Sequence, residues 1–297
     1  MQSHKPYTDY LSTEQFREHV AAAYAEDLGQ GAHRGDHSSL ACFGMDQMGE
    51  AQLMIKAEGV IAGLGLVADI VHAYDADIQL EFLGKDGDNV AYGDIMLKAT
   101  GKMASLLGAE RTMLNFLQRL SGVATATHNM VQCIEGTGAQ LLDTRKTTPG
   151  WRGLEKWAVH IGGGQNHRMG LHDMIMLKDN HVDFAGGITE AVTRTTDYLS
   201  DQGLQLDIEV ETRNMREVEE ALSLDSVTRI MLDNFTPAQC REAVKLIAKR
   251  KETEASGGLT ADTLRAYAET GVDYLSVGAL THSVSGLDMN FKSVCKD

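Results

Sequence analysis

The chain has 297 residues, 43% of them hydrophobic, which is enough for a sizeable core in one or two domains. Its net charge of -15 argues against a nucleic-acid binder, and no stretch reaches about 18 uninterrupted apolar residues, so no membrane span is expected. No apolar run follows "MQSHKPYTDY", so no signal peptide is expected, and Cys42, Cys133, Cys240 and Cys295 are scattered without a CxxC, which favours a reducing cytoplasm over a disulfide or zinc framework.

Residues 13–28 carry a helical pattern with Thr13 as the expected N-cap. From about 50 to 107, "AQLMIKAEGVIAGL" and "FLGKDGDNVAYGDIMLKATGKMASLL" read as short strands with Gly-Asp turns, and "GLVADIVHAYDA" between them reads as a helix. This is an α+β module. Residues 108–134 form a long helical pattern in which Met113, Leu114, Leu117 and Leu120 recur at helical spacing, and the domain boundary is expected near its start.

A rhythm follows. The runs "AQLLDTRK", "MIMLKDNH", "LDIEVET", "RIMLDN", "ETEASGG" and "YLSVGAL" each end in polar residues or glycine, most of them separated by amphipathic stretches such as "MREVEEALSL" and "TPAQCREAVKLIAKR". Strand and helix alternating at this interval predict parallel βα units, and six strands predict an incomplete or modified α/β barrel.

The residues with chemical potential fall at the strand ends, where barrels build their sites. Arg145 and Lys146 end the first strand, Lys178 and His181 the second, Glu211 the third and Asp233 the fourth; Gly257 and Gly258 follow the fifth and Gly278 the sixth. Between Thr144 and Lys178, Arg145, Lys146, Arg152, Lys156, Arg168 and Lys178 face only Glu155 and Asp173, a positive island in an acidic chain. Such an island suits a small anionic ligand rather than a polyanion; a solvated charged face is the ordinary alternative. Glycine turns at helix starts, here with Thr260 as the N-cap, suit phosphate, although plain βα turns look the same. The stretch "HIGGGQNHRMGLHD" has no clear strand or helix and reads as a loop folded over a ligand or as a surface loop, with His167 and Arg168 as anion contacts in the first case. Glu211 and Asp233 could hold ribose hydroxyls, directly or through Mg²⁺, or stabilise positive charge near a sugar C1; capping or surface roles are the plain alternative.

These residues resemble a family, the quinolinate phosphoribosyltransferases, also called nicotinate-nucleotide pyrophosphorylases (carboxylating). The resemblance runs through "AEDLG", "GVIAGL", "ERTMLNFLQRLSG", "DTRKTTPG", "LEKWAV", "GGGQNHRMGLHDMIMLKDNH", "IEVET", "LDN", "ASGG" and "GVDYLSVGALTHS", in that order. "GDHSS" at 35–39 and His160 depart from the family pattern, the latter where many bacterial members have arginine. The resemblance implies an α/β chain of the type II phosphoribosyltransferase kind: an α+β sandwich over 1–117, a six-stranded α/β barrel over 118–283, and a tail over 284–297 returning to the first domain. It implies a homodimer with active sites shared between subunits. It also implies a Mg²⁺-dependent reaction of quinolinate with phosphoribosyl pyrophosphate that yields nicotinate mononucleotide, pyrophosphate and CO₂.

By resemblance, Arg111, Arg145, Lys146, His167 and Arg168 bind the quinolinate carboxylates, and Thr144 is a further substrate-binding residue. Lys178 sits near the phosphoribosyl group, and Glu211 and Asp233 take the ribose and metal side. Ser256, Gly257 and Gly258, with Ser276, Val277, Gly278 and Ala279, cradle the 5′-phosphate. Catalytic roles fall to Lys146, Lys178, Glu211 and Asp233. Three alternatives remain: a family paralogue with another acceptor, such as the molybdenum-associated ones; a Schiff-base lyase using Lys178; and a metabolite-binding protein without catalysis.

Overall fold

The computed structural model describes residues 5–44 and 46–294. Its contacts separate two compact units that are not contiguous in the chain. The first comprises 1–128, 149–163 and 284–297, the second 129–148 and 164–283. The boundary expected at 117/118 falls inside one 31-residue helix, Met103–Cys133, and the helix Arg152–Ile161 joins the first unit rather than the barrel.

In the first unit, β1 (Met48–Ile55), β3 (Gln79–Phe82), β5 (Ile95–Lys102) and the C-terminal β12 (Met289–Ser293) form an antiparallel sheet in the order β12-β1-β5-β3, with β2 (Gly59–Val60) and β4 (Asn89–Val90) as a separate pair. Alternation sets the buried face: Ala51, Leu53 and Ile55 of β1 are buried, and Leu53 pairs with Leu97 on one side and Phe291 on the other. The first helix, Thr13–Leu28, buries Phe16, Val20 and Tyr24 at helical spacing. Its N-cap is Ser12 rather than the expected Thr13, because Ser12 and Gln15 form a reciprocal capping box. The long helix begins at Met103, five residues before its expected start at 108.

In the second unit, β6 (Gln140–Leu142), β7 (Ile175–Leu177), β8 (Ile208–Thr212), β9 (Arg229–Asp233), β10 (Glu252–Ser256) and β11 (Tyr274–Ser276) form one parallel sheet in the order β6-β11-β10-β9-β8-β7. The six expected strands are all present, and the barrel is incomplete because β6 and β7 do not pair. The glycine loop enters this seam. Gln165 bridges Leu142 of β6, and the Arg168 side chain donates to Met174 O just before β7. Among the described residues Cys42, Cys133 and Cys240 are free thiols, Cys295 lies outside them, and no helix is long and apolar enough to cross a membrane.

Candidate active site

The C-terminal ends of the second unit's strands enclose a cavity of about 710 Å³. It is lined by Thr144, Arg145, Lys146, His167, Arg168, Lys178, Glu211, Asp233, Ser256, Gly257, Gly258, Ser276, Val277, Gly278 and Ala279, so the structure brings together the sequence-derived site residues except Arg111 and the strand-end His181, whose Nδ1 accepts the Lys178 N–H at 3.0 Å. Arg111 lies in the first unit, on the helix Met103–Cys133. The positive island divides in the same way. Arg145, Lys146, Arg168 and Lys178 line the cavity, whereas Arg152 and the fully buried Lys156 belong to the first unit.

One wall is cationic. Asp143, fully buried, accepts from Asn166 Nδ2 at 2.7 Å and from the His167 N–H at 2.8 Å, which fixes the loop beside the end of β6. Arg145 Nε is buried and meets no acceptor among the described protein groups. Burial, and then the Arg145 charge, hold the Arg168 pKa below the usual guanidinium value. Two like charges held this close, with a donor unspent, suit an anion with more than one oxygen pair. Thr281 Oγ1 donates to Lys146 O at 2.7 Å, and the Lys146 N–H donates to Thr144 Oγ1 at 3.0 Å.

The opposite wall is acidic. Glu211 and Asp233 sit on β8 and β9, where alternation carries them to the cavity side. Lys178 Nζ donates to Glu211 Oε2 at 2.9 Å. Burial, then the Glu211 charge, raise the Asp233 pKa, and Asn234 Nδ2 donates to Asp233 at 2.7 Å.

The remaining edge is glycine. Gly257 has φ of 100°, and a Cβ there would lie 2.3 Å from Asn234 Oδ1, so this turn admits no side chain. At Gly278 a Cβ would press on His282 Nε2 and Lys146 Cδ at 3.0 Å. Thr260 caps the helix Ala261–Ala268.

Several lining residues were missed from sequence: Asn234, Leu259, His282, Glu254, Met176 and Met231. Two had a readable signal. His282 falls one helical turn after Gly278, and Glu254 precedes Ser256 by two residues in "ETEAS", on the same face of β10. Glu254 belongs to a buried group with His167 and Glu209. His167 Nε2 lies 3.0 Å from Glu209 and 3.3 Å from Glu254, and Arg229 lies 3.2 Å from Glu254. Burial disfavours charge on His167, but the two glutamate carboxylates close to Nε2 outweigh this and raise its pKa. The Arg168 N–H, 2.7 Å from Nδ1, opposes that rise, because an imidazolium has no lone pair at Nδ1, and this geometry keeps the ring neutral with its proton on Nε2. Burial and the Glu254 charge push Glu209 up to about 7.

The first unit holds a groove of about 620 Å³, but its lining is apolar apart from Glu50 and a few hydroxyl groups, and it offers no catalytic set.

An incomplete barrel with cationic, acidic and glycine edges around one cavity defines an α/β-barrel enzyme that handles small polyanions at its strand ends. The comparisons are specific. Residues 36–121 match the N-terminal domain of quinolinate phosphoribosyl transferase and residues 123–292 match its C-terminal domain, so the chain belongs to that family. It is 44% identical over 287 residues to the chloroplastic nicotinate-nucleotide pyrophosphorylase [carboxylating] of Arabidopsis thaliana, covering 92% of this chain and 81% of that one. It is 42% identical over 267 residues to the probable nicotinate-nucleotide pyrophosphorylase [carboxylating] of Bacillus subtilis, covering 90% and 89%. The crystal structure of NadC from Streptococcus pyogenes superposes with a TM-score of 0.88 at 37% identity, covering 95% of this chain and 98% of that one.

Proposed function

We propose that the protein transfers the phosphoribosyl group of phosphoribosyl pyrophosphate to quinolinate and removes one carboxylate, giving nicotinate mononucleotide, pyrophosphate and CO₂. The observation that carries this reading is the cationic wall, where Arg145 and Arg168 stand together and the buried Arg145 Nε is unspent. A dicarboxylate supplies the acceptors that this wall lacks. Retention of Arg145, Lys146 and Arg168 around one cavity supports quinolinate over another acceptor. The ion pair of Lys178 with Glu211 engages its nitrogen as a cation, against a Schiff-base role.

The roles follow from the walls. Arg145, Lys146 and Arg168 orient the diacid so that its ring nitrogen faces C1 of the phosphoribosyl group. The turns at Ser256–Gly258 and Ser276–Ala279 hold the 5′-phosphate through backbone N–H groups. The ring nitrogen bonds to C1 as the C1–O bond breaks, and that electron pair leaves with pyrophosphate. Glu211 and Asp233 stabilise the positive charge that develops on the sugar. The C2–carboxylate bond then breaks, its electron pair rests on C2 beside the quaternised nitrogen, and a proton replaces CO₂. Mg²⁺ fits the acidic wall, because burial and then the Glu211 charge raise the Asp233 pKa, and a divalent cation would relieve the repulsion between the two carboxylates. When bound with phosphoribosyl pyrophosphate, Mg²⁺ supplies countercharge for the leaving group.

The proposal includes a cytoplasmic homodimer: the free thiols among the described residues suit a reducing compartment, and the family resemblance has Arg111 serve the neighbouring subunit. Incubation with quinolinate, phosphoribosyl pyrophosphate and Mg²⁺ should yield nicotinate mononucleotide and CO₂; no product refutes the function. Arg111→Ala and Lys178→Ala proteins, each inactive, are then refolded as an equal mixture. If Arg111 serves the neighbouring subunit, about a quarter of wild-type activity returns, because about half the dimers are mixed and each has one intact site. No return, with mixed dimers confirmed by mass, refutes the shared site.

A further inference from the structure

The chemistry above leaves one group of charges unused. Glu209 lies two residues before Glu211 on β8, and Glu254 two before Ser256 on β10, one layer deeper toward the strand starts. Both glutamate side chains have no exposed surface, and the His167 side chain is 4% exposed. Barrel interiors are usually filled with branched apolar residues, and buried carboxylates are costly. Arg229 offsets part of this charge, 3.2 Å from Glu254 and 4.0 Å from Glu209.

The His167 ring is held at both nitrogens. Nε2 faces Glu209 at 3.0 Å and Glu254 at 3.3 Å, and Nδ1 accepts the Arg168 N–H at 2.7 Å. An acceptor at Nδ1 places the ring proton on Nε2, so carboxylates on that side fix tautomer and rotation together. The three groups could also be read as a metal-ligand set, but a protonated Nε2 and the nearby Arg229 favour a ring clamp over an ion. Beyond the ring, the Arg168 guanidinium donates to Met174 O at 3.1 Å and lines the cavity.

We propose that Glu209 and Glu254 are positioning residues for the acid-binding wall: they clamp His167 by Nε2, and His167 in turn holds the Arg168 amide, which sets the guanidinium in the cavity. This role rests on the dicarboxylate reading of the cavity, and the test separates the two. The first measurement is the His167 ring state in unliganded wild-type protein, read by nitrogen-15 NMR at the pH where the enzyme works. The clamp requires a protonated Nε2 and a bare Nδ1; a proton on Nδ1 overturns it. The second is titration calorimetry with quinolinate and with phosphoribosyl pyrophosphate. Glu209→Met, which removes an acceptor at similar volume, should weaken quinolinate binding by about tenfold or more, since small displacements of a binding group carry large penalties. Phosphoribosyl pyrophosphate binding should stay within about twofold of wild type. Glu209→Gln, whose amide oxygen can take the carboxylate's place facing Nε2, should restore quinolinate binding. Wild-type quinolinate affinity in Glu209→Met, or equal loss of both ligands, overturns the clamp. Should Glu209→Met fail to fold, the ring state decides alone. Wild-type protein that does not bind quinolinate refutes the dicarboxylate reading, and the ring state still decides the clamp.

Discussion

The two sheets use the same alternation to opposite ends. In the first unit, β1 turns Ala51, Leu53 and Ile55 into an apolar core, met by Leu97 and by Phe291. In the second, β8 places Ile208 and Val210 on one face and Glu209 and Glu211 on the other, and all four are buried or nearly so. On β8 the apolar face supplies cohesion, while the inner face carries charge. A residue's burial therefore says little about its role until its face is known. In the first unit a buried position is a stability position; on the barrel's inner face it is a site position.

That contrast can be broken by experiment. The largest effect is expected from Arg168→Ala on the inner wall. Loss of one half-buried, ligand-paired cation should cost roughly 2–5 kcal/mol in kcat/KM for quinolinate, with little change in Tm. Near wild-type kinetics would remove Arg168 from the site. Leu53→Ala, fully buried in the first unit, should do the reverse: a stability loss of about 3 kcal/mol in denaturant titration with KM values unchanged. A KM shift without destabilisation would erase the contrast. Gly257→Ala sharpens it within the second unit. At φ of 100°, with Asn234 Oδ1 2.3 Å from the added carbon, strain of about 1–3 kcal/mol should fall on the turn. KM for phosphoribosyl pyrophosphate should rise by about tenfold and quinolinate binding should hold. A change in quinolinate alone would misassign the turn.

The smallest effect is a pH effect. Burial raises the Asp173 pKa, but N–H bonds from Gly170 at 2.9 Å and Met169 at 2.7 Å outweigh it and hold the carboxyl below its usual range. A depressed carboxyl stabilises the fold above its unfolded pKa of about 3.9, and that contribution is lost as pH falls through the folded value. Amide exchange at Met169 and Gly170 should therefore accelerate below about pH 4 in wild type and be fast throughout in Asp173→Asn. Identical exchange profiles in the two proteins would show that the carboxylate does not hold the loop.

What was legible in the sequence was local. "DTRK", the glycine loop and the six apolar runs each announce themselves within a few residues, and they supplied the barrel strands and the cavity-lining residues. Ser12 is legible too, since Ser-x-x-Gln is a capping box, and that reciprocal pair outweighs the capping preference of Thr13 alone. Glu209 and Glu254 were not picked out, because a glutamate alternating with apolar residues looks solvated until the strand's two faces are both known to be covered. Arg152 and Lys156 misled in the other direction. Adjacent to "DTRK" in the chain, they were counted with its cations, but the chain enters the first unit at Pro149 and both belong there. Chain proximity could not reveal that exchange.

On the proposed function, the cationic wall serves a dicarboxylate that loses one carboxyl during phosphoribosyl transfer. Its most direct test is a competition in which equal quinolinate and nicotinate share limiting phosphoribosyl pyrophosphate. Donors left unpaired by the monoacid should cost orders of magnitude in rate. Quinolinate alone should be consumed, with one CO₂ released for each pyrophosphate. Comparable consumption of nicotinate, or pyrophosphate release without CO₂, would contradict the account.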